Sequence, residues 1–255
     1  MKTMMHCALL SLLCLTGIFA AAGAGGLATP GKLLFEDDFA RAEMAPKWKV
    51  GKGTFEVKDG VVTASENPDD HHGAYAYVKP SFQFKDIVVE YSAKIDGSRA
   101  CHLMVNDSTY KESHAGHILR ATLFAGKVDL ADYKFGSMKN EIFDKMKDPN
   151  TTDDEKKKLR ESIKDKSAAF KVDADLAQWH QIRVEMVGDE MLLSIDGKPA
   201  GYLKSQGIDH ATKNAIGFEV GGKSSCIKAM KVWEASAAPD WAARRDAVVA
   251  ALKKQ

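Results

Sequence analysis

The sequence predicts an all-β fold: a two-sheet antiparallel sandwich with one inserted helical hairpin and a C-terminal helix. Three observations carry this expectation. From Leu33 onward, short segments alternate apolar and polar residues with a period of two, as strands with one buried face do. Turn residues, among them Asp59-Gly60 and Asp196-Gly197, separate these segments. The resulting strands, about ten to twelve, are too many for one small sheet, whereas two stacked sheets bury every apolar face.

The first residues, MKTMMHCALLSLLCLTGIFAAAGAGG, place Lys2 before an apolar run from about Ala8 to Ala22, followed by small residues. This is the layout of a signal peptide over residues 1–24, cut near Ala22 or Ala24, and it predicts a secreted or periplasmic protein. An uncleaved anchor is the alternative, but the run is short for a bilayer-spanning helix. No later segment is apolar enough to span, so the mature chain is expected to have no membrane span. Removing the leader leaves two of the four cysteines, Cys101 and Cys226. In an oxidising compartment they are a candidate disulfide, with two separate buried thiols as the alternative. Neither has zinc-ligand spacing to another cysteine or a histidine. The 36 basic and 35 acidic residues balance, so no global field draws nucleic acid or anionic lipid.

The strand segments run from residue 33 to residue 236. KLLFEDDF opens them, followed by GTFEVKDGVVTASE, AYAYVKP and FKDIVVEYSAKIDG, in which Ile87, Val89, Tyr91, Ala93 and Ile95 share one face. ACHLMVND and GHILRATLFAGKVDL come next, then WHQIRVEMVGDEMLLSIDGKPAGYL, NAIGFEVGG and SCIKAMKVWEA. Residues 137–166 break the pattern. They are dense in charge, carry Ile142 with Met146 and Leu159 with Ile163 at helical spacing, and place Thr152 and Glu155 as a capping box. The narrow apolar stripe of this hairpin suits a solvated insertion, a support on the sandwich or a protein partner. Residues 237–255 predict a helix beginning near Asp240, with Trp241, Val248 and Leu252 as a docking stripe.

Taken in order, LLFEDDF, PKWKV, FEVKDGVV, FKDIVVEYSAKI, the Trp179 segment and IKAMKVWEA resemble the concanavalin A-like lectin and glucanase superfamily, nearest to the bacterial 3-keto-disaccharide hydrolase domain. The resemblance implies a jelly roll whose concave sheet holds carbohydrate, with Trp179 as a core anchor or, alternatively, a sugar-stacking platform. Two departures matter. The strand expected to carry an Asn-Ser-Gly signature reads CHLMVND, and the Glu-x-Asp-x-x-Glu motif of family 16 glycoside hydrolases is missing. No catalytic residue carries over, because a retaining glycosidase needs two closely spaced carboxylates.

Two polar zones, ENPDDHHGAYAY and CHLMVNDSTYKESHAGHILR, supply the candidate site. His102, Met104 and Asn106 share one strand face opposite Cys101, Leu103 and Val105. With Tyr75, Tyr77, His117 and Arg120 they offer the donors, acceptors and aromatic surface that a sugar groove needs. A histidine of ordinary basicity there would serve as a general base. Metal readings, from Asp69, Asp70, His71 and His72 or as calcium at Glu36-Asp37-Asp38, are weaker than surface acidity, so no cofactor is expected. The functional expectation is an exported carbohydrate-binding domain. The alternatives are a glycoside-processing enzyme similar to 3-keto-disaccharide hydrolases and an envelope adaptor that binds a protein through the helical insertion.

Overall fold

The two longest strands, β6 (Ile87–Asn106) and β13 (Ala215–Ala237), organise the molecule. A computed structural model describes residues 26–254, and the predicted signal peptide lies outside the described residues. Before β6 come β1 (Ala28–Asp37), β2 (Trp48–Lys52), β3 (Thr54–Lys58), β4 (Val61–Ser65) and β5 (Ala74–Val78). Between β6 and β13 lie β7 (His117–Phe124), β8 (Lys127–Asp132), helices α1 (Asn140–Lys147) and α2 (Asp153–Ser162), β9 (Ser167–Lys171), β10 (His180–Val187), β11 (Glu190–Ile195) and β12 (Lys198–Lys204). Helix α3 (Trp241–Leu252) closes the chain.

β6 and β13 pair antiparallel from Asn106↔Ala215 to Ile87↔Glu234, with register shifts concentrated around Gly222. There Gly97 and Gly222 take φ of 79° and 89°, a region that side chains with a Cβ enter at a cost. The bend divides each strand between two layers. Residues 100–106 and 215–221 build the front layer, continued by β5 and β2 on one side and by β7, β8 and β9 on the other. Residues 87–95 and 224–237 build the back layer, with β10, β11 and β12 on one side and β1, β4 and β3 on the other. The two-sheet antiparallel sandwich read from the sequence is therefore what forms.

Its core follows from the period-two pattern. Val89, Tyr91, Ile182, Val184 and Leu193 of the back layer meet Leu103, Val105, Leu119, Leu130 and Phe218 of the front layer, all buried. The Tyr91 and Phe218 rings lie 5.0 Å apart across the interface. Trp48 packs among Phe35, Phe39 and Phe218 at 5.8 Å each. Its indole N–H donates to Asp37 at 2.7 Å, and Arg41 donates to the same carboxylate at 2.5 and 2.8 Å. Burial works to raise the Asp37 pKa, but the bonds from Arg41, Trp48 and the Phe39 backbone outweigh it and hold the carboxyl ionised. Among the described residues, no group of three histidine, cysteine or acidic side chains is arranged to hold a metal.

The helical hairpin sits between β8 and β9, and Thr152 and Glu155 form the capping box. Its first helix is anchored. Ile142 is buried, Phe143 stacks on His114 at 3.8 Å, and Asn140 donates to the Lys111 carbonyl at 2.7 Å. Helix α3 packs Trp241 against Leu27 and Leu192 on the outside of the back layer, with Val248 alongside and Leu252 buried.

Two expectations are corrected. Cys101 and Cys226 are free, buried thiols rather than a disulfide. Their places on the ladder explain this: Cys101 lies opposite Val220 in the front layer, while Cys226 lies beyond the bend opposite Lys94, 3.8 Å from the Thr63 hydroxyl. Trp179 is no core anchor. It is 37% exposed before β10, with the Lys228 ammonium 4.2 Å from its ring centroid.

Candidate functional site

Every second residue of the front-layer strands points away from the core, and the strand register aligns these residues in rows. Lys52, Tyr75, Glu219, His102, Thr122 and Asp129 form one row. Lys49, Tyr77, Gly217, Met104, Arg120 and Ala131 form the next, and Ala215, Asn106 and His117 begin a third. Gly217 is needed where it stands: a Cβ there would lie 2.1 Å from the Ala76 carbonyl oxygen and 2.8 Å from the Tyr77 ring.

Over these rows lies a groove of about 580 Å³. Tyr77, Met104, Asn106 and Glu219 form its floor; Tyr75, His72, His114 and His117 stand along its sides. The Tyr75 and Tyr77 rings are 5.8 Å apart, edge to face. Asn106 Nδ2 donates to Tyr77 Oη at 2.8 Å, and the Tyr77 hydroxyl donates to Met104 Sδ at 3.7 Å. Asn106 Oδ1 can only accept, so His117 carries its proton on Nδ1, 3.0 Å away, which leaves Nε2 as an acceptor. Burial, together with the nearby Arg120 charge, lowers the His117 pKa to about 4, and burial raises that of Tyr77 to about 12. Both are neutral over the physiological range.

Beyond Met104 the floor is closed. Arg120 donates to Glu219 at 2.8 Å and lies 4.9 Å beneath the Tyr133 ring. A second cavity of about 250 Å³ follows, lined by His102, Thr122, Asp129 and Tyr133 and roofed by Ile163 and Lys166 at the end of the insertion. The His102 ring shares a hydrogen bond between Nδ1 and the Thr122 hydroxyl at 2.8 Å, and burial lowers its pKa to about 3.

All six candidate residues thus share one sheet face, but not one cavity. Tyr75, Tyr77, Asn106 and His117 line the groove, His102 lines the second cavity, and Arg120 lies between, tied to Glu219. Sequence reasoning did not select Glu219, Lys49, Lys52 and Lys79. The alternation in NAIGFEVGG does place Glu219 opposite Phe218 and Val220, so that signal was present. What groups these residues is strand order.

The chemistry of this face is limited in one respect. Among the described residues, Glu219 is the only carboxylate lining the groove, and the other acid on its row, Asp129, is three strands away. At ~4.8 Å per strand that is roughly 14 Å, beyond the ~9.5 Å upper limit for carboxylate pairs of glycosidases. Histidines with pKa values near 3 and 4 are also weak bases at neutral pH.

No protein-family profile matches this sequence, and no curated protein does. Solved structures do match. A protein with a galectin-like fold from Bacillus subtilis superposes with a TM-score of 0.54 at 17% identity, over 83% of this chain and 100% of that one. The endo-β-1,3-glucanase from Pyrococcus furiosus gives 0.54 at 10% identity, over 84% and 100%. The GlcNAcα1-4Gal-releasing endo-β-galactosidase from Clostridium perfringens gives 0.54 at 14%, over 83% of this chain but 65% of that one, so this chain spans less than two thirds of its length. The likeness shows the fold alone: a jelly roll of two antiparallel sheets.

Proposed function

We propose that this jelly roll is a carbohydrate-binding domain that holds a short stretch of glycan in the groove over Tyr75 and Tyr77 without cleaving it. One observation carries the reading: the groove combines two aromatic side chains with the fixed polar array of Asn106 and His117, yet its one carboxylate, Glu219, is already paired with Arg120. Sugar rings offer apolar faces to aromatic rings and hydroxyls to such arrays. The names of the matched glucanase and galactosidase lend the sugar reading support by analogy of fold.

The alternative is an enzyme that processes glycosides. His117 favours it, since it lines the groove and its unprotonated Nε2 is free to accept a proton; its low basicity weighs against it. A glycan-array screen of the mature protein, followed by incubation of each hit, separates the two. Binding with the glycan recovered intact supports the binding domain, and released product supports the enzyme. We also propose export through cleavage of residues 1–24, which N-terminal sequencing of the secreted chain tests.

A further inference from the structure

The groove is unevenly charged. Lys49, Lys52 and Lys79 line the side next to the β2 edge, against the single carboxylate Glu219, whose charge Arg120 cancels. Lys49 and Lys79 are exposed, and among the described residues no carboxylate pairs with any of the three lysines. Lys52 donates one hydrogen bond, to the Asp70 carbonyl at 3.0 Å, which restrains its ammonium and leaves two donors. The strand register sets Lys52 opposite Tyr75 and Lys49 opposite Tyr77, so each tyrosine on this side has a lysine as its cross-strand neighbour. His117, neutral above a pKa of about 4, adds no charge.

From this juxtaposition we infer that the groove selects an acidic oligosaccharide, one carrying carboxylate or sulfate groups, over its uncharged counterpart. The inference rests on the glycan reading above and names its ligand class. A ring lying on Tyr75 or Tyr77 presents its face to the aromatic side chain, and a substituent at its edge reaches the neighbouring ammonium. The walls of a concave site focus the field of three like charges, although the chain as a whole is nearly neutral. That balance also argues against a long polyanion such as nucleic acid, which needs a basic track well beyond the groove.

The test uses the mature protein and calorimetric titration with matched oligomers. Oligogalacturonate is compared with its methyl ester, and chondroitin sulfate oligomers with unsulfated, carboxyl-reduced chondroitin oligomers. At least one charged member is expected to bind about tenfold more tightly than its uncharged partner or better, and to weaken as salt rises. The pair that shows the difference tells carboxylate from sulfate. Lys49→Gln/Lys52→Gln/Lys79→Gln is expected to abolish the preference. Lys156→Gln/Lys157→Gln/Lys158→Gln on α2, an equal change of charge away from the groove, is expected to keep it. Equal affinity for charged and uncharged members, or an equal loss in both triple variants, overturns the charge inference and leaves the glycan reading standing. Binding to no oligomer of either kind, here or on the array, overturns both.

Discussion

Asn106 Oδ1 accepts the His117 Nδ1 proton across 3.0 Å, and this bond decides which nitrogen of the ring carries the proton. The same amide donates to Tyr77 Oη, so one buried side chain on β6 orients groups on adjacent β7 and, across β13, on β5. Replacing Asn106 by Ala strands both partners. Glycan affinity is expected to fall by about 10- to 100-fold, as for a central binding residue, and stability by about 1–3 kcal/mol. Calorimetric titration and urea denaturation read the two effects, and unchanged affinity refutes the role given to Asn106.

Acid is expected to destabilise the fold through His102 and His117. Their folded pKa values, about 3 and about 4, lie below the ordinary 6.5, so the unfolded chain takes up protons that the folded chain refuses. Their contribution to stability is complete above pH 6.5 and is lost as pH falls from there toward 4 and then 3. The fall in melting temperature over this window is expected to flatten in His102→Gln/His117→Gln. NMR titration of both rings checks the cause directly: resonances that shift near pH 6.5 defeat the prediction.

Removing the Asp37 carboxylate is expected to cost about 3–5 kcal/mol, because the partly buried Arg41 guanidinium loses its counter-charge and the Trp48 indole N–H loses its acceptor. Urea denaturation of Asp37→Ala measures it. A loss under ~1 kcal/mol would mean that solvent replaces the carboxylate there.

Gly217→Ala is expected to lower both stability and glycan affinity, since its Cβ would press on the Ala76 carbonyl and the Tyr77 ring. Gly31→Ala, whose Cβ would come no nearer than 3.4 Å to Glu234, serves as the control. Equal behaviour of the two variants would show that the β5–β13 contact relaxes freely.

Much of the fold was legible because its signals are local. Ile87, Val89, Tyr91, Ala93 and Ile95 alternate, and all are buried. The Asp59-Gly60 and Asp196-Gly197 turns have positive φ at both residues, as two-residue hairpin turns require. The Thr152–Glu155 capping box forms as its spacing predicts. The resemblance misled at Trp179, because residue type does not reveal which outer surface a residue reaches, and the cysteines misled because exported chains favour disulfides without specifying geometry.

By itself, the sequence determined the alternation of inward and outward side chains, the turns between strands and the helical interruption, since each depends on residues within a few positions of one another. Only the tertiary structure decided that Lys52, Tyr75, Glu219 and His102 form one row, that Arg120 lies between the cavities of His102 and Asn106, and that Cys101 and Cys226 stay unbonded. The physical reason is that neighbours across a sheet are set by strand order and by the bend shared by β6 and β13, which bring together residues far apart in the chain.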